Sequence, residues 1–426
     1  MADTARRALS TPYSAYYFRD VPKEDEELTH VGPGTPCGEY FRRYWLPVEL
    51  SAELKDLPRR IRILGEDLVI FRDRGGRVGL LQLHCSHRGT SLEFGVIVDR
   101  GIECCYHGWH YDVDGTLLDT PGEPPGSTFK DRLCHGAYPV HEYKGMVFAY
   151  MGPPDRKPPF PILDTFELPG FRVEAGPKHY VPCNWLQIKD NSMDPAHTVF
   201  LHTRVSGVQF AEARAELGVW EWQMTPLGMV YIHTRRLDDR VWVHMGDCIP
   251  PALHQFPPAW EKADKEIVFQ RPQATLWTVP IDDTNSLNIR FTLINEKDPR
   301  TAHPLLFGQD GERPYEERQR KPGDYDAQAY QRPIAIHALE HLATTDQGII
   351  MFRNFVREGI RAVQRGDDPP NLVRTEGQVI PTYSQDTVVR IPPAPTPEED
   401  RQLLIETGRK VLAGYYVENP PPGLQR

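Results

Sequence analysis

Two short stretches, HCSHRG (residues 84–89) and CCYHGW (residues 104–109), decide the fold of the first half of the chain. Each carries a cysteine and a histidine close together, in the order C-x-H and then C-x-x-H. Thiolates and imidazoles are good ligands for transition metals. We therefore expect two neighbouring loops to meet around one metal site. Its ligands would be Cys85, His87, Cys104 and His107.

Two kinds of metal site suit these four ligands. One is a tetrahedral zinc ion, and the other is an iron–sulfur cluster in which two imidazoles replace two thiolates on one iron, the Rieske type. The flanking residues favour the cluster, because they resemble the CPHRG and CPYHGW boxes of Rieske proteins. In that motif Cys104 is the ligand and Cys105 takes the place of a proline. Trp109 and Tyr111 could shield the cluster from water.

The distribution of strand-like and proline-rich segments predicts two domains. Short strand-like runs bounded by turn residues fill residues 59–150 and predict an all-β domain of antiparallel strands. A proline-rich stretch, residues 152–161, follows, and after it strand-like runs alternate with helical ones, which predicts an α+β domain. The expected division is an N-terminal segment packing on the body (1–40), a Rieske [2Fe–2S] domain (41–155) and a catalytic domain (165–426).

A second motif lies in the later part, where Asp194, His197 and His202 form the pattern D-x2-H-x4-H. The surrounding stretch, Trp185 to His202, is predicted to be helical. On an ideal helix the two histidines would lie about 140° apart, so they can share a metal only if the helix is distorted or ends between them. Pro195 gives a reason for such an irregularity.

Two histidines need a carboxylate to complete the 2-His-1-carboxylate triad of non-haem Fe(II) oxygenases. A second helix is predicted from Ala335 to Val363, and it contains Asp346 among apolar neighbours, which suggests a partly buried position. Its rivals are Glu340, Asp324 and Asp326, since charged residues on a helix are often only its solvated face. The residues alone leave this choice open.

Together the motifs resemble the α subunits of Rieske non-haem iron aromatic-ring oxygenases. The LATTDQGI segment (residues 342–349) is similar to the phthalate dioxygenase branch, which includes dehydrodivanillate O-demethylases. The resemblance implies an all-β Rieske domain followed by an α+β catalytic domain with a helix-grip-like antiparallel sheet and helices. It also implies one [2Fe–2S] cluster, one mononuclear Fe(II) and O2 as co-substrate.

The resemblance also implies roles for individual residues. The mononuclear iron would be held by His197, His202 and Asp346. Asp194 would be catalytic, linking His197 to the cluster ligand His107 of a neighbouring subunit by hydrogen bonds; it could equally cap the helix that carries His197.

The implied reaction is hydroxylation or O-demethylation of an aromatic compound, either an aromatic carboxylate or a methoxylated aromatic or biaryl. A cis-dihydroxylating dioxygenase remains an alternative, because it would use the same ligands. A pocket could draw on Trp220, Trp222, Tyr231, Trp242, Phe256, Trp260 and Trp277, and a carboxylate clamp on Arg204, Arg235, Arg236, Arg240 and Arg290.

The implied partners are a separate flavin and iron–sulfur reductase that oxidises NAD(P)H, and further copies of the chain in a homotrimer or stacked hexamer. The sequence has no G-x-G-x-x-G dinucleotide motif of its own. Two other classes stay open. A Rieske electron carrier would lack the mononuclear iron, and a zinc-stabilised binding protein would lack iron altogether.

Composition narrows the class of protein. The net charge is −10, with basic residues scattered, which argues against nucleic acid as a partner. The absence of a long apolar stretch or a secretory signal argues against a membrane protein, so we expect a cytoplasmic location. Seven cysteines, an odd number, favour reduced thiols or metal ligands over a disulfide framework.

Overall fold

The computed structural model describes residues 12–17, 20–207, 215–257, 267–270, 274–296 and 311–416. Within the N-terminal segment it places two short helices, α1 (Glu26–Thr29) and α2 (Pro36–Phe41). Thr35 caps α2 by accepting a hydrogen bond from the Gly38 N–H (3.2 Å). Tyr40 and other apolar residues of both helices are buried in the main hydrophobic core, so the segment packs on the body of the protein.

The first half consists of short antiparallel strands, which confirms the predicted all-β fold. The strands are β1 (Trp45–Leu50), β2 (Arg59–Ile63), β3 (Glu66–Arg72), β4 (Val78–Gln82), β5 (Val96–Ile97), β6 (Ile102–Glu103), β7 (His110–Tyr111), β8 (Leu117–Asp119), β9 (Val140–Tyr143) and β10 (Met146–Tyr150). They form three sheets, β1-β10-β9, β2-β3-β4 and β5-β6-β7-β8. The loop after β4 carries Cys85, and the turn between β6 and β7 carries Cys104, so strand pairing positions both motifs.

The second half combines strands with helices, as predicted for an α+β domain. In chain order its elements are β11 (Ile162–Leu163), β12 (Phe171–Val181), α3 (Trp185–Ser192), α4 (Ala196–Val199), a π-helical turn (Phe200–Val205), β13 (Val219–Thr225), β14 (Gly228–Leu237), β15 (Arg240–Ile249), β16 (Leu253–Phe256), β17 (Ile267–Gln270), β18 (Ala274–Asp282), β19 (Asn285–Asn295), α5 (Tyr315–Arg320), α6 (Asp324–Ala329), α7 (Gln347–Gln364), β20 (Val379–Ile380), β21 (Gln385–Arg390) and α8 (Pro397–Tyr416). None of the helices in the described ranges is long and apolar enough to span a membrane.

One large antiparallel sheet organises this half. Its strands run in the order β12-β19-β18-β16-β15-β14-β13, and β21 pairs with β15 and with β17. Side chains alternate between the two faces of each strand. One face of the sheet is turned towards α3, which packs against β18.

The two halves share a core and a backbone junction. The β2–β3 turn pairs with β18, because Leu64 N–H donates to the carbonyl of Pro280 (2.9 Å) and Gly65 N–H to that of Ile281 (2.8 Å). Phe148 of the first half packs on Trp277 of the second, with ring centroids 5.7 Å apart. The halves are thus held in a defined relative position.

The two predicted helices are both shorter than expected. The stretch Trp185 to His202 is divided, because α3 ends at Ser192 and a new helical segment begins after Pro195. The helix predicted from Ala335 begins only at Gln347. Before it the chain forms two 3-10 turns, His337–Leu339 and Thr344–Asp346, and Asp346 closes the second by accepting a hydrogen bond from the Ala343 N–H.

Candidate functional site

The two cysteine loops of the first half are copies of one turn. In each loop the cysteine N–H donates to the carbonyl five residues on (2.9 Å), and the cysteine carbonyl accepts from the glycine N–H four residues on (2.9 Å). Those glycines, Gly89 and Gly108, have φ of +77° and +70°. Glycine adopts this conformation without steric cost. The repeated turn explains why glycine recurs at the same place in both motifs.

The four predicted ligand side chains converge. Cys85 and Cys104 are each 3% exposed, and the rings of His87 and His107 lie 4.5 Å apart, centroid to centroid. Burial raises the pKa of the Cys104 thiol, and the nearby Cys85 raises it further, while backbone N–H groups lower it. Two thiols held together in this way favour a cation that would stabilise them as thiolates.

A test of whether these residues suit a Rieske cluster comes from His87. Its Nδ1 is buried and has no hydrogen-bond partner among the described residues, which is costly unless a ligand occupies it. The side chain of Cys105 is exposed, whereas that of Cys104 points inward. The arrangement fits a cluster with two inner thiolate ligands and two outer imidazole ligands.

Aromatic residues enclose the loops. Trp109 stacks on His87 with centroids 4.5 Å apart and planes inclined by 6°. Tyr111 is fully buried, its hydroxyl lies 3.0 Å from Cys85 Sγ, and burial raises its pKa. The protonated hydroxyl can therefore donate to the sulfur. His84 bonds the carbonyl of Gly89 instead of entering the site.

The second motif lies where α3 gives way to an irregular segment. Asp194 Oδ1 accepts hydrogen bonds from the N–H groups of Ala196 (2.9 Å) and His197 (3.3 Å), which starts α4. The π-helical turn, Phe200–Val205, follows, and its backbone hydrogen bonds join residues five positions apart instead of four. This wider turn brings onto one side two histidines that an ideal α-helix would separate.

The structure adds Asp324, not Asp346, to the two histidines. One ligand atom from each of His197, His202 and Asp324 lies within 4.8 Å of the others. Asp324 Oδ1 is 3.0 Å from His202 Nε2 and 3.6 Å from His197 Nε2. Two imidazoles and one carboxylate on one side of a cavity form the donor set of a facial triad, which leaves coordination positions open.

The structure does not bring Asp346, the expected third ligand, into this group. Its carboxylate accepts a hydrogen bond from the Ala343 N–H (2.6 Å) at the start of α7. Of its rivals, Asp326 pairs with Arg318 (2.6 Å) and Glu340 with Arg353 (2.6 Å). These three carboxylates thus take part in hydrogen bonds or ion pairs away from the two histidines.

Asp324 occupies the site because α6 packs against α3. Gln187 of α3 donates from its amide to the carbonyls of Gln328 (2.9 Å) and Arg332 (3.1 Å). One turn further along α3, Asn191 Nδ2 lies 3.3 Å from Asp324 Oδ1 and 3.4 Å from His197 Nε2. Sequence reasoning missed Asn191. Before Asp324 the sequence carries Pro322 and Gly323, which indicate only that a helix starts there.

A cavity extends from the three converging side chains to the wall of the large sheet. Of the seven aromatic residues considered for a pocket, Tyr231 and Phe256 line it. Trp242 and Trp277 are buried in the core, Trp222 donates to the carbonyl of Met193, and Trp220 packs on His233. Trp260 lies outside the described residues.

One of the five candidate arginines, Arg290, lines this cavity. Burial lowers the pKa of its guanidinium. The other four make contacts elsewhere: Arg204 bonds the carbonyl of Ala215, Arg235 stacks on Trp242, Arg236 pairs with Asp400, and Arg240 lies near Asp239. Sequence reasoning did not single out two further groups, His254, which lines the cavity, and the fully buried Lys189, whose Nζ lies 3.0 Å from His254 Nδ1.

Comparisons with known proteins agree with the two-part architecture. Residues 44–142 match the model of the Rieske [2Fe-2S] domain family. The chain is 41% identical to the tert-butanol monooxygenase / tert-amyl alcohol desaturase oxygenase subunit of Aquincola tertiaricarbonis, over 99% of this chain and 95% of that protein. It is 38% identical to the phenoxybenzoate dioxygenase subunit alpha of Ectopseudomonas oleovorans, over 85% and 91%.

A third relative is the 5,5'-dehydrodivanillate O-demethylase oxygenase subunit of Sphingobium sp. (strain NBRC 103272 / SYK-6), at 30% identity over 86% of this chain and 88% of that protein. Among solved structures, that of Pseudomonas putida CBB5 NdmA with caffeine has a TM-score of 0.61 at 17% identity, covering 81% of this chain and 100% of that one. At so low an identity this likeness supports the fold alone.

Proposed function

The chain belongs to the oxygenase subunits of the Rieske non-haem iron oxygenases, and from that premise we propose that it oxidises an aromatic compound with O2 at the His197–His202–Asp324 site. The observation that carries this proposal is the convergence of two imidazoles and one carboxylate within 4.8 Å. A Rieske electron carrier would have no use for such a group. The triad therefore favours an oxygenase.

We assign the first metal site to Cys85, His87, Cys104 and His107, which would hold a [2Fe–2S] cluster, and the second to His197, His202 and Asp324, which would hold Fe(II). When bound, the cluster supplies single electrons and the mononuclear iron activates O2. The cysteines anchor the buried side of the cluster site, and Trp109 keeps water from His87. The domain limits 41–155 and 165–426 suit this division.

We propose that Asp194 connects the iron site of its own copy of the chain to the cluster site of a neighbouring copy. Its Oδ2 lies 3.7 Å from His197 Nδ1, while its Oδ1 holds the start of α4. His107 is exposed, which leaves it accessible to a neighbouring copy. A carboxylate that bridges His197 and His107 of the neighbouring copy would require more than one copy of the chain, and we propose that the assembly is a homotrimer or a stacked hexamer.

The proposed substrate is an aromatic carboxylate or a methoxylated aromatic. Arg290 in the cavity wall supports a carboxylate, because guanidinium groups bind carboxylates through paired N–H donors. The relatives named for phenoxybenzoate and dehydrodivanillate support the aromatic class. Hydroxylation, O-demethylation and cis-dihydroxylation would all use the same metal ligands.

A second candidate is monooxygenation of a small branched alcohol. The observation in its favour is the 41% identity, over nearly the whole chain, to a relative named for tert-butanol. In either case a separate flavin and iron–sulfur reductase would supply electrons from NAD(P)H. The expected cytoplasmic location stays a prediction.

Turnover with a surrogate reductase tests the proposal. The panel contains phthalates, phenoxybenzoates, methoxybenzoates, biaryls and tert-butanol, with O2 uptake and product followed together. Formaldehyde indicates O-demethylation, a cis-diol indicates dioxygenation, and 2-methylpropane-1,2-diol indicates the alcohol reaction. A holoenzyme that contains cluster and mononuclear iron yet forms product from none of these compounds would contradict the proposed substrate classes.

A further inference from the structure

Lys189 of α3 is a buried base that the metal sites do not explain. Its side chain is fully buried, and no carboxylate of the described residues lies within ion-pair distance of it. Its polar neighbours are His254 of β16, with Nζ 3.0 Å from Nδ1, and the thiol of Cys248 on β15. Burying an ammonium without an acid is costly, so a local structural role is a poor explanation for it.

The contact determines which nitrogen of His254 carries its proton. An ammonium group can only donate, so Nδ1 of His254 must accept and its hydrogen must sit on Nε2. Burial and then the charge of Lys189 lower the pKa of His254 well below its usual value, although Asp324 opposes them. The ring is therefore neutral, with one N–H donor remaining at Nε2.

His254 belongs to the wall of the cavity that contains the iron triad. In the sheet His254 is paired with Leu276, and Leu276 with Arg290. These three residues form one row across β16, β18 and β19, and all three line the cavity. Adjacent strands are about 4.8 Å apart, so the backbones of His254 and Arg290 are separated by roughly 10 Å. Two side chains with N–H donors, His254 and Arg290, thus flank the apolar Leu276.

We propose that Lys189 and His254 form a substrate-recognition pair, in which His254 donates from Nε2 to a carboxylate of the substrate and Lys189 is the positioning residue that holds this tautomer. The proposal rests on the proposed function and specifies its substrate class. A carboxylate is favoured over a neutral ether or alcohol because the ammonium lies directly behind the ring and Arg290 stands in the same row. Leu276 would support the aromatic ring between them.

Binding to the anaerobic holoenzyme without reductant tests this pair apart from turnover. The probes are 3-phenoxybenzoate and its neutral counterpart 3-phenoxybenzamide, titrated by calorimetry. We expect Lys189→Met and His254→Phe each to weaken carboxylate binding about tenfold, the usual loss for a hydrogen bond to a charged group. Amide binding should weaken less than carboxylate binding, because a neutral carbonyl accepts a weaker hydrogen bond than a carboxylate. The double variant should lose no more carboxylate affinity than the more strongly affected single variant, because both residues serve one contact.

Controls separate recognition from folding. Lys23→Met removes an exposed lysine and should bind both probes like the wild type. Lys189→Met should melt at or above the wild-type temperature, because a buried charge is replaced by an apolar side chain of similar length. His254→Gln, which keeps a side-chain N–H donor, should restore part of the carboxylate affinity.

Two outcomes would overturn the inference. One is a carboxylate affinity within twofold of wild type in both single variants, and the other is a wild-type holoenzyme that does not bind the carboxylate. Neither would refute the oxygenase function, because product formation from any panel compound by the wild type would still support it.

Discussion

The two candidate metal sites differ in how their ligands are distributed along the chain. The cluster site uses one turn twice, in loops 85–90 and 104–109, and each loop supplies two ligands. The iron site combines a distorted helical segment with Asp324, which is 122 residues beyond His202. The first site depends on local backbone geometry and the second on which helices pack together. The cluster site should therefore respond to changes within its loops, and the iron site to changes in distant elements.

The largest effect should come from Cys104. Cys104→Ser removes an inward thiolate, so we expect complete loss of cluster absorbance and of turnover. Cys105→Ser is the matched control, because its side chain is exposed, and it should keep both. Visible absorbance and iron content measure the outcome. Loss of the cluster in the Cys105 variant alone would reverse the assignment.

The iron site can be tested by comparing two aspartates. Asp324→Ala should remove the mononuclear iron but leave the cluster spectrum intact, and turnover should fall more than about 100-fold, since even groups that only support metal ligands matter by 10- to 100-fold. Asp346→Ala should keep the iron and cost about 1 kcal/mol of unfolding free energy, the usual loss for a helix cap. Iron analysis and denaturant unfolding distinguish them. The opposite pattern would restore Asp346 as the ligand.

A link between the two kinds of site is tested by Asp194→Asn. The amide oxygen can still accept the N–H bonds that start α4, so both metal sites should stay occupied. Without the negative charge the contact with His197 weakens, and turnover should nearly vanish. Single-turnover measurement of cluster oxidation shows whether electron transfer is the step affected. Unaltered turnover would remove Asp194 from that role.

A smaller change should follow Tyr111→Phe, which removes the hydroxyl 3.0 Å from Cys85 Sγ. Hydrogen bonds to cluster sulfurs stabilise the reduced state. We expect the reduction potential to fall by roughly 50 mV, equivalent to about 1 kcal/mol for one electron. A redox titration measures the shift, and Tyr106→Phe is the control because Tyr106 is exposed. An unchanged potential would show that the hydroxyl does not donate to the sulfur.

Lys189 should also give a pH dependence of stability, confined to alkaline pH. Burial lowers its pKa from 10.5 to about 8 in the folded protein. Between those values the unfolded chain binds more protons than the native one, so the contribution of Lys189 to stability rises with pH across this window. Below about pH 8 Lys189 is protonated in both the folded and the unfolded state, and the full free-energy cost of burying its charge applies. Urea unfolding at pH 7.5 and 9.5 should show this rise in wild type relative to Lys189→Met, and parallel behaviour would contradict it.

The sequence by itself determined the features that depend on short stretches of chain. The ligand types and glycines of residues 84–109 indicated a Rieske cluster, and the strand and helix patterns indicated an all-β domain followed by an α+β one. Pro195 and the spacing of His197 and His202 indicated a distorted helix. These features could be read because turns, strand alternation and helix breaks arise from interactions between near neighbours.

Only the tertiary structure decided which distant groups share the iron site. The sequence favoured Asp346 over Asp324, and the packing of α6 on α3 brings Asp324 to the histidines instead. Strand register likewise places His254, Leu276 and Arg290 in one row and sets Lys189 behind them. Such contacts depend on how whole elements pack and pair, so no local pattern of residues reports them.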